Sequence, residues 1–254
     1  MKGKTISFNM NILIISLLAG ISTIIGCFPI YFPYSYHNRI IGYSLSLSSG
    51  IMLSISILSL IPESLSYLKG LNTIPSLLIF GIFFLLGILS SKTIDKIVTL
   101  KENTKLYQIG IISMITLIIH NIPEGIISYL TTTSNFRLGI SLTFAIAIHN
   151  IPEGIAISIP IYYATRSHRK AIQYTAISGL SEFVGAVIAC IFIKNHITPH
   201  LLMSILAMTS GIMIDISLTE LLPEAKEYIS LKERIICFLL GFIIMFICIY
   251  LFQI

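Results

Sequence analysis

Apolar residues run along this chain in long blocks, Ile109–Ile119 and Phe238–Phe252 among them, and not in the short alternating runs of half-buried strands. A helix needs about 20 mostly apolar residues to cross about 30 Å of hydrocarbon. The pattern predicts eight such spans, at about 10–29, 40–61, 74–91, 107–131, 138–163, 171–193, 200–222 and 235–253. The joins between them are short and carry turn or charge signals. The clearest are Ser134-Asn135-Phe136-Arg137, Arg166-Ser167-His168-Arg169-Lys170 and Lys194-Asn195-His196-Ile197-Thr198-Pro199. Residues 92–106, with four Lys beside Asp95 and Glu102, read as a solvated loop. No separate soluble domain fits, so residues 1–254 read as one polytopic membrane domain of the all-α class.

Composition narrows the class. The 254 residues are 55% hydrophobic and 11% charged, with mean hydropathy +0.92. A soluble domain carries roughly a quarter charged residues, so a soluble enzyme, a disordered regulator and a secreted disulfide scaffold are excluded. With no Trp, the interfacial aromatic belt falls to Tyr: Tyr31, Tyr34, Tyr36, Tyr67, Tyr107, Tyr162, Tyr163, Tyr174 and Tyr250 lie at predicted span ends. Cys27, Cys190, Cys237 and Cys248 form no CxxC pair and read as buried thiols.

Charge gives an orientation. Eight spans put both termini on one side, with Lys2, Lys4, Lys69, Arg137 and Lys194. The other eleven basic residues collect on the opposite side, in loops such as Arg166–Lys170 and Lys226–Arg234. The positive-inside rule makes that side cytoplasmic and both termini external. Lys2 and Lys4 alone resemble the start of a signal peptide, but no small-residue cleavage site follows and the whole-chain count prevails. The net charge of +5 is this loop bias, and a nucleic-acid reading has no basic face to rest on.

Two repeats follow. His120-Asn121-Ile122-Pro123-Glu124-Gly125-Ile126 recurs letter for letter as His149-Asn150-Ile151-Pro152-Glu153-Gly154-Ile155 in the next span. The turn at Asn135 lies midway between them. The two spans therefore run antiparallel, with both motifs at one depth near the bilayer middle. In addition, Ser49–Glu63 matches Ser210–Glu224 at nine of fifteen positions. That makes spans 1–3 and 6–8 inverted copies around a central pair, an arrangement typical of secondary transporters.

Ionisable residues in mid-membrane are costly and need partners. Spans 4 to 6 hold His120, Glu124, His149, Glu153 and Glu182, with amides Asn121 and Asn150. Helix-to-helix hydrogen bonding explains one such residue easily and two copies of His-Asn-x-x-Glu poorly. At about 100° per residue, Glu124 lies about 40° from His120 and between it and Asn121. Glu153 is placed likewise, so each carboxylate can bridge two cations. Imidazole, carboxylate and amide oxygen together suit Zn²⁺ or Fe²⁺. Pro123 and Pro152 each free a carbonyl, at Ile119 and Ile148, consistent with a kink that opens a cation path. Glu182 stands one position from the small-residue stripe Ser181, Gly185, Ala189, and residue type alone leaves it a ligand or a structural acid.

These motifs resemble the ZIP family of divalent-metal transporters over essentially the whole chain. The doubled His-Asn-Ile-Pro-Glu-Gly carries the resemblance, with Gly179-Leu180-Ser181-Glu182 and Gly211-Ile212-Met213 in the expected places. It implies eight helices in a 3+2+3 inverted repeat, external termini and a two-metal transport site. One subsite then takes His120, Glu124, His149 and Glu153; the other takes Asn121, Asn150 and Glu182 and shares Glu124 and Glu153. It further implies zinc uptake through the bacterial inner membrane, with Fe²⁺, Mn²⁺ and Co²⁺ as further cargo, no resident cofactor, and room for a homodimer. The loop 92–106, often His-rich in the family, has no His here. Asp215, Glu220, His196 and His200 are left as pathway ligands or ordinary span-end polar residues. The alternative class is an integral-membrane metal-dependent enzyme, a hydrolase or di-metal oxidase. Neither HExxH nor ExxH occurs to support it.

Overall fold

The long apolar blocks fold as helices. A computed structural model describes residues 10–31, 37–67, 73–98, 105–193 and 198–252, and among these all regular structure is helical. Helix α1 (Met10–Ile25) ends in a 3₁₀ turn, Phe28–Tyr31. Helix α2 (His37–Ile55) passes through a π-helical turn, Ser56–Leu60, into Ile61–Ser66. Helices α3 (Thr73–Val98), α4 (Lys105–Ser134) and α5 (Phe136–Thr165) follow. Helix α6 (His168–Ile188) closes with a π-helical turn, Ala189–Ile193. Helix α7 (Pro199–Asp215) runs through a third such turn, Ile216–Leu221, to Leu222–Glu224 and the 3₁₀ turn Ala225–Glu227. Helix α8 is Leu231–Phe252.

Seven stretches among the described residues are long and apolar enough to cross a bilayer: Met10–Tyr31, Arg39–Ser66, Ile74–Thr93, Gly139–Thr165, His168–Phe192, Pro199–Glu227 and Leu231–Leu251. They match seven of the predicted spans within a few residues. The remaining prediction, 107–131, falls on α4, which is helical over 30 residues. Helix α3 continues to Val98, past its predicted end at 91, because Lys, Thr and Asp are compatible with a helix that has left the apolar phase. Tyr34, Tyr36, Lys2, Lys4, Lys69, Lys194, His196 and residues 99–104 of the predicted loop lie outside the described residues.

Local chemistry marks the ends. Ser167 caps α6 by accepting from Lys170 N at 3.3 Å, and Thr198 caps α7 from Leu201 N at 3.2 Å, ahead of Pro199 at the first helical position. Ser230 and Glu233 form a reciprocal capping box on α8. Arg166 takes a left-handed φ of 52° where α5 stops. There Tyr31 and Tyr162 gather on the His168 ring, with centroids 4.8 and 4.5 Å away.

Helices α1, α4, α5 and α6 pack around one another, with α2 and α7 beside them. The most apolar 18-residue stretches of the α2 and α7 spans are 72% and 67% buried. Those of α3 and α8 are only 17% and 11% buried, so these two face outward and keep their apolar side chains for lipid. Glycines set the close crossings. Gly50 of α2 abuts the Phe238 carbonyl of α8, and Gly241 abuts the Leu47 carbonyl. Gly211 of α7 abuts the Phe84 carbonyl of α3 in the same way, and Gly87 the Met208 carbonyl. Gly20 of α1 and Gly179 of α6 press against each other's carbonyls. A side chain at any of these positions would meet backbone, which cannot yield as a rotamer can. The π-helical turns of α2 and α7 fall at the same place in the Ser49–Glu63 and Ser210–Glu224 repeats.

Candidate metal centre

Asn135 joins α4 to α5 in a tight turn: its N–H donates to Thr131 O at 2.7 Å, and its own carbonyl accepts from Gly139 N at 2.9 Å. The hairpin brings the two His-Asn-x-x-Glu copies face to face, and α4 and α5 continue unbroken through Pro123 and Pro152. Gly125 lets the Glu182 carbonyl of α6 approach, and Gly154 does the same for the Thr23 carbonyl of α1. Four helices therefore close on one point.

All seven expected residues meet there and all are buried: His120, Asn121, Glu124, His149, Asn150, Glu153 and Glu182. The pairs cross between helices. His149 Nε2 and Glu124 Oε2 share a hydrogen bond at 3.3 Å. His120 Nε2 stands 3.3 Å from Glu153 Oε1. Asn150 Nδ2 donates to Glu182 Oε2 at 2.9 Å and to Ala19 O at 3.0 Å, and Asn121 Nδ2 donates to Ser178 O at 3.3 Å. Several acceptors have no protein donor: Asn121 Oδ1, Asn150 Oδ1, Glu182 Oε1 and both oxygens of Glu153. Buried acceptors are nearly always satisfied, and carboxylates in a helix bundle need a positive partner. Imidazole, carboxylate and amide oxygen form a donor set for a divalent cation. As they stand, no three His, Cys, Asp or Glu side chains among the described residues close into a finished coordination shell. The groups are paired with one another instead.

Glu153 also lines a cavity of about 400 Å³ that runs toward the Arg166 end of the bundle, past Ser113 and Ala156 to Glu220, Glu224 and Tyr228. Tyr228 donates to Glu224 at 3.4 Å; burial and that carboxylate push its phenol up to about 12, so it stays a neutral donor. Toward the Asn135 end the path is pinched. Two pockets of about 40 and 10 Å³ remain there, with Leu60, Ile127 and Leu142 lining both and Glu124 in the smaller.

The other candidates fall elsewhere. Asp215 is buried, 3.8 Å from Lys92 Nζ of α3. His200 is exposed at the start of α7, and His196 lies outside the described residues. The four cysteines are free. Sequence reasoning missed the part played by α1, whose Ala19 carbonyl holds Asn150 and whose Ser22 hydroxyl donates to Ala147 O at 2.8 Å. The signal was there in Gly20 and Gly26, in register with Gly179 and Gly185.

A multi-pass helical membrane protein with a buried His/Asn/Glu centre is the class that fold and site define. The ZIP zinc transporter model matches residues 101–249, and the chain belongs to that family. It is 38% identical over 234 residues to the zinc transporter ZupT of Chlorobium luteolum, covering 85% of this chain and 88% of that one. The zinc transporter ZupT of Streptococcus mutans is 34% identical over 254 residues, covering 94% and 96%. That of Escherichia fergusonii is 33% identical over 227 residues, covering 85% and 86%. The family is one of transporters and not of enzymes.

Proposed function

We propose that this chain carries Zn²⁺ through the bacterial inner membrane into the cytoplasm, with Fe²⁺, Mn²⁺ and Co²⁺ as further cargo, on a binuclear site in the core of one membrane domain. One cation is held by His120, His149, Glu124 and Glu153. The second is held by Asn121, Asn150 and Glu182, with Glu124 and Glu153 bridging. The observation that carries this is the crossed pair of His–Glu contacts at 3.3 Å, ringed by buried acceptors without donors, at the head of a cavity. The names of the relatives supply zinc.

The architecture in this reading is eight spans in a 3+2+3 inverted repeat with both termini outside. The matched glycine crossings of α2 on α8 and α7 on α3 support it, as do the equivalent π-helical turns. The Arg166 end, rich in basic residues, is then cytoplasmic, and the open cavity is the exit. In the exit-open form a cation sheds water onto the cluster and displaces the histidines from their carboxylates. It then leaves past Glu220 and Glu224. The metalloenzyme alternative is not favoured, since the named relatives are transporters.

Uptake of labelled zinc into proteoliposomes, compared between wild type and Glu153→Ala, tests the site. We expect the variant to lose most of its flux; equal fluxes would overturn the assignment.

A further inference from the structure

Helices α1 and α6 are matched residue by residue around the metal cluster. On α1, Ala19 O accepts from Ser22 Oγ at 2.6 Å and from Asn150 Nδ2 at 3.0 Å. On α6, Ser178 O accepts from Ser181 Oγ at 2.5 Å and from Asn121 Nδ2 at 3.3 Å. Gly20 and Gly179 press on each other's carbonyls between them. Gly26 abuts the Ile151 carbonyl, and Gly185 abuts the Ile122 carbonyl, the same residue of the two motif copies. In this register Ala19, Gly20, Ser22 and Gly26 correspond to Ser178, Gly179, Ser181 and Gly185. The residue of α1 that corresponds to Glu182 is Thr23.

Thr23 behaves as a residue committed to a site. It is fully buried and its Oγ1 has no hydrogen-bond partner. A helical threonine can satisfy itself on the carbonyl four residues back, and the buried Thr132, Thr143, Thr175 and Thr209 all do so. For Thr23 that carbonyl is Ala19 O, already taken by Ser22 and Asn150. The side chain lies against α6 instead: a Cβ built on Gly179 would lie 2.9 Å from Thr23 Oγ1 and 3.0 Å from its Cβ. The Glu182 Cβ stands in the matching place, 3.6 Å from a Cβ built on Gly20. Glu182 reaches Asn150, and the α1–α6 register assigns Thr23 to the corresponding place on the Asn121 side; Asn121 Oδ1 lacks a donor.

We propose that Thr23 is a further residue of the second cation subsite, facing Glu182 across the cluster, where its hydroxyl binds the cation through a water that the cation retains. The inference rests on the binuclear reading above. A threonine oxygen is two bonds closer to its backbone than a glutamate oxygen, so the hydroxyl leaves room for that water where a second carboxylate would contact the ion itself. The centre therefore has three acids in place of a symmetric four, and the second cation is the more weakly held.

Zinc titration of the full-length protein in detergent, by calorimetry, tests this with Thr23→Val, Thr23→Ala and Thr23→Ser. We expect Val and Ala to weaken the second binding step about 10-fold, the size seen when an outer-shell partner is lost. The first step and the thermal melt should be unchanged, and Ser should restore wild-type binding. If wild type binds two zinc ions and Val and Ala leave the second step intact, Thr23 is not part of the subsite. A second step as weak in Ser as in Val, or both steps weakened alike, overturns the proposal as well. A wild-type protein that binds fewer than two zinc ions defeats the binuclear reading itself, and this inference with it.

Discussion

His149 of α5 and Glu124 of α4 face each other at 3.3 Å in the buried centre of the bundle, and neither is paired with a residue of its own motif copy. The crossing brings the two copies together: each imidazole stands 3.3 Å from the carboxylate of the other helix. Removal of one group leaves its partner buried without a counter-group, the costliest way to break a buried pair.

The first prediction follows from that crossing. Glu124→Gln and His149→Ala should each lower the affinity of the tightest zinc step by at least about 10-fold, since each deletes a ligand of the proposed site and disorients its partner. Calorimetric titration of each variant reads this directly. Wild-type affinity in both would remove these two residues from the site.

A second prediction concerns the two ends of the path. Ala156 and Ser113 line the open cavity, and the matching positions at the pinched end are Ile127 and Leu142. The smaller pair leaves the room that the larger pair fills. Ala156→Ile with Ser113→Leu should close the exit and cut zinc flux several-fold. In a background without the four native cysteines, a maleimide should label Thr219→Cys in the cavity wall more slowly when the double variant is present. Unchanged labelling would show that these side chains do not gate the cavity.

The Lys92–Asp215 pair gives a third. Asp215 is buried and Lys92 is 60% exposed, so solvent screens the attraction and its net worth is about 1 kcal/mol or less. Lys92→Met should nevertheless lower the melting temperature in detergent, because it leaves a buried acid unpaired. Asp215→Asn in the same chain should restore much of the loss. A double variant that melts below Lys92→Met would show that Asp215 serves something other than this pair.

A fourth concerns the α1–α6 crossing. Gly179→Val would drive a side chain into the Gly20 carbonyl and Thr23. Overpacking of this kind costs about 1–3 kcal/mol, and here it parts the helices that carry Ala19 and Glu182. Both the thermal melt and the second zinc-binding step should suffer together. A variant with a normal melt and normal zinc binding would mean that the crossing is looser than the structure has it.

The sequence by itself determined the helical class, the span positions within a few residues and the membership of the central cluster. Bilayer thickness imposes the length of an apolar block, and a buried charge in lipid is costly enough to stand out in a string of letters. Repetition of His-Asn-Ile-Pro-Glu-Gly puts six ligand candidates in register on two antiparallel helices. Which groups pair was decided only by the tertiary structure. Helical angles put Glu124 beside its own His120 and Asn121, but packing turned it to His149 of the other helix. The part of α1 was hidden for the same reason. A carbonyl and a hydroxyl carry no distinctive letter, and Ala19 and Thr23 matter only because glycines on two helices let the backbones nearly touch. The asymmetry of the path was equally out of reach of pattern. An alanine at one end of a pseudo-symmetric bundle, where an isoleucine stands at the other, becomes an opening only once the surrounding helices have been placed.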